Sequence, residues 1–204
     1  MFYEPKDGHG LPHNPFKSLI VPRPIGWIST VSADGIANLA PFSFFNGVSD
    51  TPPAVMFAAN GRINQGRLKD TLTNVEATGE FVVNLATEAL SDEMNATSAS
   101  VDPEVDEFAL AGLTATPSRI VKPPRVAQSP AQLECRYLQT VDLASSDPDI
   151  RNAVVLGEVI GIHIADEALT AEGRVDTALM RPLARLGYME YTVVEKVFSL
   201  DRPA

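Results

Sequence analysis

Residues 22–48 read PRPIGWISTVSADGIANLAPFSFFNGV and predict a β-hairpin near the start of the chain. The apolar run Ile25–Val31 has the length of a strand, and the pair Asp34-Gly35 that follows it is a strong hairpin signal. A further strand is predicted over Phe42–Val48, where hydroxyl and amide side chains lie among aromatic rings. The hairpin therefore combines a tight turn with the mixture of apolar and polar side chains that is typical of a binding site.

Further apolar runs of strand length follow the hairpin, and short proline clusters separate several of them. Proline removes a backbone donor and biases its neighbour toward extended backbone, so such clusters suit strand edges and connections. The additional predicted strands are Ala54–Ala59, Phe81–Leu85, Leu133–Leu143, Val154–Ile164 and a terminal, bent strand over Tyr188–Leu200. Short strands with turn signals between them predict a closed or sandwich-like β architecture.

A few helices are predicted between these strands. Asp70 is a suitable N-cap for a helix over Thr71–Ala77, and Gly79 is a suitable residue to end it. Leu90–Ala96 and Glu104–Leu110 are shorter helical candidates. Because no linker or change of composition divides the chain, residues 1–204 are expected to form a single, mainly β domain with flanking helices.

The composition is that of a globular protein: of 204 residues, 45% are hydrophobic and 21% are charged. The net charge of −10 is distributed unevenly, with +1 over residues 1–70 and −11 over residues 71–204. An acidic chain without a lysine–arginine cluster is a poor binder of nucleic acid or of anionic membranes, so both partners are excluded. An anionic small molecule is expected to bind in the first third of the chain, where basic groups balance acidic ones.

Three features of the sequence predict a cytoplasmic location. No apolar run approaches the roughly 18 residues that a membrane-spanning helix needs. The first residues, Met1–Asp7, lack the basic and apolar regions of a signal peptide. The single cysteine, Cys135, cannot form a disulfide within the chain, so the sequence does not call for an oxidising compartment.

The polar groups of the hairpin suit a planar ligand with a polar edge. Thr30, Ser43 and Asn46 offer compact hydrogen-bonding groups, and the phenylalanines within 42–45 offer flat apolar surface. An alternative interpretation stays open, in which the phenylalanines belong to the β core and the serine and asparagine belong to a turn.

A second candidate binding segment is Lys69-Asp70-Thr71, at the start of the first predicted helix. A helix N-terminus has free N–H groups, and a nearby hydroxyl and ammonium make it a ready anion site. Arg62 and Arg67 precede this segment and add positive charge. The alternative is a solvated basic loop with an ordinary aspartate cap.

Several motifs together resemble the flavin reductase-like family of FMN-binding split-barrel proteins. They occur in family order and span about residues 20–191, although no single motif is decisive. The matching motifs are Pro22–Thr30, Asn38–Asn46, Pro52-Pro53, Lys69-Asp70-Thr71, Gly79–Asn84, Leu133-Glu134-Cys135, Gly157-Glu158-Val159 and Arg185–Tyr191. The resemblance implies a six-stranded Greek-key barrel with flanking helices, built as a homodimer that binds FMN near the subunit interface.

The resemblance also implies roles for individual residues. Thr30 and Val31 would lie beside the isoalloxazine ring, largely through main-chain groups. The residues implied to line the flavin and its ribityl chain are Ser43, Phe44, Phe45 and Asn46, and those implied at the phosphate are Lys69, Asp70 and Thr71. The chain departs from the family pattern at Ala58-Ala59, in a stretch where relatives often have small or hydroxyl residues near the phosphate, and at Tyr188, where many have glycine.

The histidines and the cysteine are not assigned a catalytic or metal-binding role. His9 and His13 lie among glycines and prolines that oppose a helix, so no metal site is expected there. His163 is expected to face solvent or a dimer partner, although a position near nicotinamide is a second possibility. Cys135 in an apolar strand is expected to be buried and inert.

Two remaining features are assigned to structure rather than chemistry. Trp27 is expected in the core or an interface. The acidic residues Glu104, Asp106 and Glu107 are expected to form a solvated helix face.

The leading hypothesis is an FMN-dependent oxidoreductase that takes hydride from NADH or NADPH and passes electrons to an acceptor, which could be a downstream protein. The chain lacks the Gly-x-Gly-x-x-Gly fingerprint, so nicotinamide would dock transiently over the flavin. No catalytic side chain is nominated, because hydride transfer does not require one. Two alternatives stay open: a non-enzymatic FMN-binding electron carrier or flavin store, and a flavin-free interaction module.

Overall fold

A computed structural model describes residues 1–62 and 67–203 of the chain. Within them the strands are β1 (Arg23–Pro24), β2 (Gly26–Val31), β3 (Ala37–Phe42), β4 (Phe45–Asp50), β5 (Pro53–Ala58), β6 (Gly61–Arg62), β7 (Glu80–Leu85), β8 (Ala115–Thr116), β9 (Arg125–Val126), β10 (Ala131–Leu143), β11 (Ile150–Ile164), β12 (Leu183–Arg185) and β13 (Tyr191–Val193). The α-helices are α1 (Asp70–Thr78), α2 (Ser91–Ala96), α3 (Glu107–Leu110) and α4 (Thr177–Met180). Four single-turn 3₁₀ helices are Pro5–Asp7, Phe16–Ser18, Glu88–Leu90 and Asp166–Ala168.

The main sheet is antiparallel and curves back on itself. Its strands follow the order β3-β2-β7-β10-β11-β5-β4, and β6 adds to β11. The two strands at the ends of this order, β3 and β4, are consecutive in the chain and only Ser43 and Phe44 separate them. Because so short a connection cannot span an open sheet, the sheet closes into a barrel that is split between β3 and β4.

Apolar side chains pack on both faces of the curved sheet. On one face, Phe57 lies between Phe42 and Phe81, with ring centroids 4.9 Å and 5.4 Å apart, and α1 packs against this cluster. On the other face, Trp27 and Phe108 belong to a second buried cluster that the short helices cover. Alternation along β2 explains the division, because neighbouring residues of a strand point to opposite faces.

The glycine at position 157 makes room for a large ring in the barrel. A Cβ atom there would overlap the ring of Phe81, which is fully buried. Gly26 has the same relation to Phe45, whose Cδ2 atom would lie 2.6 Å from a Cβ at position 26. These close approaches explain why two strands of the barrel tolerate glycine in their interior.

The predicted mainly β fold is confirmed, and most predicted strands lie within a few residues of the observed ones. The turn at Asp34-Gly35 is also confirmed, with Gly35 at a φ of +85°. The strand predicted over Phe42–Val48 is wrong in its bounds. The chain turns at residues 43–44, so that residue 42 ends β3 and β4 starts at residue 45.

The predicted terminal strand Tyr188–Leu200 is wrong except for β13. Tyr188 has a φ of +54°, which a strand does not allow, and the chain turns there before pairing back on β12. The residues after β13 are largely exposed and form no strand within the described part of the chain. β12 itself was not predicted, because three residues carry too little periodicity.

Two helix predictions also need correction. Lys69, not Asp70, is the N-cap of α1, and its backbone is extended while Asp70 is already helical. The helix predicted from Glu104 begins only at Glu107, because the Asp106 carboxylate caps it by accepting from the Phe108 N–H. Gly79 ends α1 in the left-handed conformation, as predicted.

Candidate functional site

A cavity of about 1050 Å³ lies beside the start of α1. One wall is β3, from Asn38 to Phe42, and the start of α1 with the residues just before it forms another. The segment 97–102 completes the lining together with Val105, Glu107 and Asp149. The volume reaches the upper end of the range for small-molecule and cofactor sites, so a nucleotide-sized ligand fits it.

The start of α1 supplies positive potential to this cavity. Its first N–H groups have no partner within the helix, and the helix dipole adds to their attraction for anions. The Lys69 ammonium lies 6.0 Å from the centroid of the Phe42 ring, and its aliphatic stem packs over Gly61. Among the described residues, no carboxylate lies within 4.0 Å of the Lys69 ammonium, so its charge is available to a ligand.

The two arginines of the cavity are less available than Lys69. Arg62 lies 3.1 Å from Asp147 and 3.8 Å from Asp149, and Arg67 lies 3.5 Å from Asp70. All three contacts involve largely exposed guanidinium groups, which water screens. Lys69 is therefore the main cation that this wall offers, and the arginines add a weaker positive field.

A network of buried polar side chains lies behind the cavity wall. We call it the Asn38 network; its members are Thr30, Asn38, Thr71, Asn74 and Glu107. Thr71 Oγ1 and Thr30 Oγ1 donate to Asn38 Oδ1 at 2.8 Å and 3.3 Å, and Asn74 Nδ2 donates to Thr30 Oγ1 at 3.1 Å. Asn38 Nδ2 donates to Glu107 Oε1 at 2.7 Å. The network thereby joins β2, β3, α1 and α3 at the cavity.

Glu107 is the charged member of this network and only 5% of it is exposed. Its second oxygen, Oε2, accepts from the Leu39 backbone N–H at 3.0 Å. Burial raises the pKa of Glu107 above its ordinary value, and the nearby Asp70 carboxylate acts in the same direction. The hydrogen bonds from Leu39 and Asn38 lower this pKa but do not outweigh burial.

The structure brings only part of the predicted site together at the cavity. Arg62, Lys69, Asp70 and Thr71 line it. Thr30 is fully buried and reaches the cavity wall only through the Asn38 network. The half-buried Val31 at the end of β2 is outside the cavity lining.

The remaining predicted residues lie on and beside the turn between β3 and β4, outside the cavity lining. Ser43 is half-buried in that turn. The Phe44 ring is covered by Arg23 and Lys17, at 5.7 Å and 6.0 Å from its centroid. Phe45 packs against the core, and Asn46 is exposed on β4, where its Oδ1 accepts from the Gly47 N–H.

The structure shows the surroundings of the two positions at which the chain departs from the family pattern. Ala58 and Ala59 bring no side-chain polar group to the end of β5, and Ala59 is buried in the core. Asn60 follows them, and its Oδ1 is buried without a hydrogen-bond partner among the described residues. Tyr188 is half exposed and its ring stands edge-on to His13, with centroids 5.7 Å apart.

His163 is not open to solvent, and its expected position at a dimer partner stays a prediction. Its Nε2 atom contacts Glu134 Oε1 at 2.5 Å, and 17% of its side chain is exposed. Cys135 is buried, as predicted, and burial with the Glu134 charge raises the pKa of its thiol. No group of three or more potential metal ligands occurs in the described ranges 1–62 and 67–203. In the same ranges, no helix is long and apolar enough to cross a membrane.

Sequence reasoning missed Asn38, Glu107 and the segment 97–102 as parts of the site. Glu107 was assigned to a solvated acidic face together with Glu104 and Asp106, which is wrong for Glu107 because it is buried. A signal was present, since Glu107 is followed by Phe108 at the start of an apolar stretch, so a helix there turns toward the core. Asn38 opens the matching motif Asn38–Asn46 without having been assigned a role, and segment 97–102 belongs to no quoted motif.

Comparison with known proteins identifies the family. The model of the flavin reductase like domain matches residues 18–189. An uncharacterized protein of Aquifex aeolicus is 43% identical over 173 residues, which are 85% of each chain. Nitrilotriacetate monooxygenase component B from Bacillus cereus is 28% identical, with a TM-score of 0.87 and coverage of 98% of each chain.

A second enzyme is similar over most of its length. The 2-nitrobenzoate 2-nitroreductase of Pseudomonas fluorescens is 27% identical, with a TM-score of 0.80 over 92% of this chain and 88% of its own. The split barrel, the family match over residues 18–189 and the similar structures all indicate the same family. The chain belongs to the flavin reductase-like family of split-barrel proteins.

Proposed function

We propose that this protein is an FMN-dependent oxidoreductase of the flavin reductase type, which takes hydride from NADH or NADPH and passes electrons to an acceptor. The observation that carries the proposal is the large cavity at the start of α1, where the Lys69 ammonium has no carboxylate partner among the described residues. Family membership supports it. So do two similar structures above 25% identity, a monooxygenase component B and a nitroreductase, whose names describe redox chemistry.

The residues present fit FMN in their chemistry. The phosphate is a dianion, and Lys69 with the free N–H groups of Asp70 and Thr71 offers it a cation and donors. Phe42, Pro41 and Ala40 add an apolar wall against which a flat ring packs. The sequence-predicted contacts of Thr30, Val31 and the segment 43–46 with the flavin ring remain part of this proposal.

FMN supplies a ring that accepts hydride and releases electrons singly or in pairs. The protein's part is to hold the phosphate, to orient the ring and to limit water at one face. The Asn38 network holds the start of α1 against β2 and β3, so it positions Lys69. We nominate no acid or base, because hydride transfer between two cofactors needs none.

The binding part of the proposal is tested by replacing Lys69 with alanine and titrating FMN and riboflavin by fluorescence. We expect Lys69→Ala to weaken FMN binding about tenfold, because a charge-assisted contact to the phosphate is lost. Riboflavin lacks the phosphate, so its affinity stays unchanged. Lys196→Ala, which removes an exposed lysine from the C-terminal tail, is the matched control. Equal FMN affinity in wild type and Lys69→Ala contradicts the phosphate assignment.

The ring contacts are tested separately by Ser43→Ala. We expect this variant to weaken FMN and riboflavin to the same degree, since both carry the ring and the ribityl chain. Loss of FMN binding without loss of riboflavin binding is instead the signature of a phosphate contact. Full affinity for both flavins in Ser43→Ala removes the β3–β4 turn from the site and leaves only the cavity beside α1.

The enzymatic part is tested by adding NADH or NADPH to the FMN-loaded protein without oxygen. Bleaching of the flavin absorbance within seconds to minutes supports a reductase. A protein that binds FMN tightly but is not bleached by either nicotinamide is an electron carrier or a flavin store, the second function that this fold would serve.

The assembly and setting of the protein form a further part of the proposal. We expect a homodimer, because β4 is an edge strand and its residues Asn46–Asp50 are exposed, among them Val48. We also expect a single domain over residues 1–204, a cytoplasmic location and a separate electron acceptor. Sedimentation at several protein concentrations tests the dimer, and a monomer at every concentration contradicts it.

A further inference from the structure

Glu107 is an unusual group to find in the wall of a cavity for an anionic ligand. It lies at the first position of α3, a helix of four residues, and it is 5% exposed. It nevertheless belongs to the cavity lining, and Asn38 joins it to Thr71 at the start of α1. The other charged residues of this lining are Arg62, Arg67, Lys69, Asp70, Asp102 and Asp149.

Two neighbouring donors bind the Glu107 carboxyl group. Asn38 Nδ2 donates to Oε1 and the Leu39 N–H donates to Oε2, so both oxygens act as acceptors. A carboxylate has about four lone-pair positions, and its two oxygens are not saturated by these two donors. Glu107 therefore keeps acceptor capacity at the cavity.

Glu107 also sets the direction of every hydrogen bond in the Asn38 network. Because Asn38 must turn its Nδ2 toward Glu107, its Oδ1 faces the hydroxyl groups of Thr30 and Thr71. Both hydroxyl protons therefore point inward, away from the cavity. The wall consequently offers acceptors to a ligand at Glu107 and at the lone pairs of Thr71, while the donors come from Lys69 and the backbone of α1.

We propose that Glu107 is a specificity-determining acceptor in the cavity wall, which selects ligands that carry an N–H or O–H donor beside their anionic group. This inference rests on the proposed function, because the ribityl chain of FMN carries hydroxyl donors next to the phosphate. Inorganic phosphate alone, or a nucleotide fragment without a donor within reach, lacks this contact. This role adds an acceptor to a site whose main cation is Lys69.

Replacement of Glu107 by glutamine reverses the direction of the hydrogen bonds in the Asn38 network with little change in side-chain shape. Glutamine accepts from the Leu39 N–H through one atom and presents N–H groups through the other. Asn38 is then satisfied by rotating its amide, after which the two threonine hydroxyls become acceptors of its Nδ2. The side-chain amides of Asn38 and of the new glutamine both keep partners, but the acceptor toward the ligand is replaced by a donor.

The experiment compares wild type, Glu107→Gln and Glu104→Gln, a matched carboxylate-to-amide control at an exposed position three residues away. FMN and riboflavin affinities are measured by fluorescence titration, and thermal unfolding of the flavin-free proteins is measured in parallel. We expect Glu107→Gln to weaken both flavins at least tenfold, with an unfolding temperature equal to or above that of wild type. Glu104→Gln binds as wild type does.

A purely structural role predicts the opposite combination, in which the unfolding temperature falls and flavin affinity falls only with it. If Glu107→Gln does not fold, the double variant Glu107→Gln with Asn38→Asp restores a satisfied network with the charge moved to position 38. Weak flavin binding by this folded double variant supports the proposal, and full affinity overturns it.

The test separates this inference from the proposed function. Wild-type protein that binds FMN, with Glu107→Gln binding it equally well, overturns the role of Glu107 and leaves the function standing. Wild-type protein that binds neither FMN nor riboflavin overturns the proposed function and the inference with it. If both the proposed function and the role of Glu107 are correct, Lys69→Ala weakens the binding of FMN only. Glu107→Gln then weakens the binding of FMN and of riboflavin.

Discussion

Two buried carboxylates in this protein, Glu134 and Glu107, have opposite pKa shifts. Glu134 is fully buried on β10, under the loop that precedes β9. Burial alone raises its pKa, but hydrogen bonds from the Arg119 N–H, from His163 and from two further backbone N–H groups bring that pKa to about 2. For Glu107, burial outweighs its hydrogen bonds and the pKa is raised.

The difference lies in the number and rigidity of the donors. Glu134 Oε1 accepts from the Arg119 N–H at 2.8 Å, and its Oε2 accepts from Ile120 and Val121 at 2.7 Å and 3.0 Å. Glu107 accepts from one backbone N–H and one side-chain amide, and it borders a cavity. A carboxylate that the fold satisfies fully stabilises the fold, whereas one left partly unsatisfied beside a cavity is suited to a ligand.

The largest expected effect comes from breaking the Glu134 site. Glu134→Gln leaves an amide N–H facing a backbone N–H, so at least one buried donor loses its partner. We expect a loss of about 3 kcal/mol in the free energy of unfolding, or a fall of roughly 6–12 °C in unfolding temperature. Thermal unfolding measures it, with Glu172→Gln at an exposed position as control. A fall no larger than that of the control removes Glu134 from the stabilising groups.

The pH dependence of stability sharpens the comparison, because the two carboxylates act in opposite directions. The pKa of Glu134 is lowered from 4.5 to about 2, so its stabilisation is complete above pH 4.5 and disappears as the pH falls toward 2. The pKa of Glu107 is raised from 4.5, so its favourable contribution is present below pH 4.5 and is lost as the pH rises through the raised pKa.

Urea unfolding at several pH values measures both effects. The gap between wild type and Glu134→Gln should shrink as the pH falls below 4.5, since protonation makes the two side chains alike. Glu107→Gln should gain stability relative to wild type as the pH rises above 4.5, because glutamine never carries the buried charge. The same pH trend in both variants would mean that the two carboxylates are equivalent.

The barrel could be predicted from sequence because its signals are local. Asp34-Gly35 specifies a hairpin turn, and apolar runs such as Phe81–Leu85 specify strands without help from the rest of the chain. The errors occurred where a local signal competes with tertiary structure. The aromatic run after Pro41 is interrupted because the barrel turns there, and Tyr188 adopts a left-handed conformation that propensity does not foresee.

The site could be predicted only in part, for a related reason. Lys69 and Thr71 stand at a helix start, which is a local pattern that indicates anion binding. Asn38 and Glu107 are 69 positions apart and meet only in the folded chain. Glu134 and His163 likewise meet only because β10 pairs with β11, so neither the structural nor the ligand-facing carboxylate could be recognised from its neighbours in sequence.

The smallest change in stability is expected at Thr71. A substitution there distinguishes the side-chain hydroxyl, which belongs to the Asn38 network, from the backbone N–H, which is available to the ligand. The Thr71 hydroxyl donates inward to Asn38 Oδ1 at 2.8 Å, and the residue is 2% exposed. Thr71→Val should therefore cost about 1 kcal/mol, or roughly 2–4 °C in unfolding temperature. FMN affinity should change by less than about threefold, because the donor toward the phosphate is the Thr71 backbone N–H, which valine keeps.

Thr71→Ser, which keeps the hydroxyl, should restore much of the stability. A tenfold loss of FMN affinity in Thr71→Val with unchanged stability would mean that the hydroxyl turns outward to the ligand, and that Glu107 does not control the direction of the network.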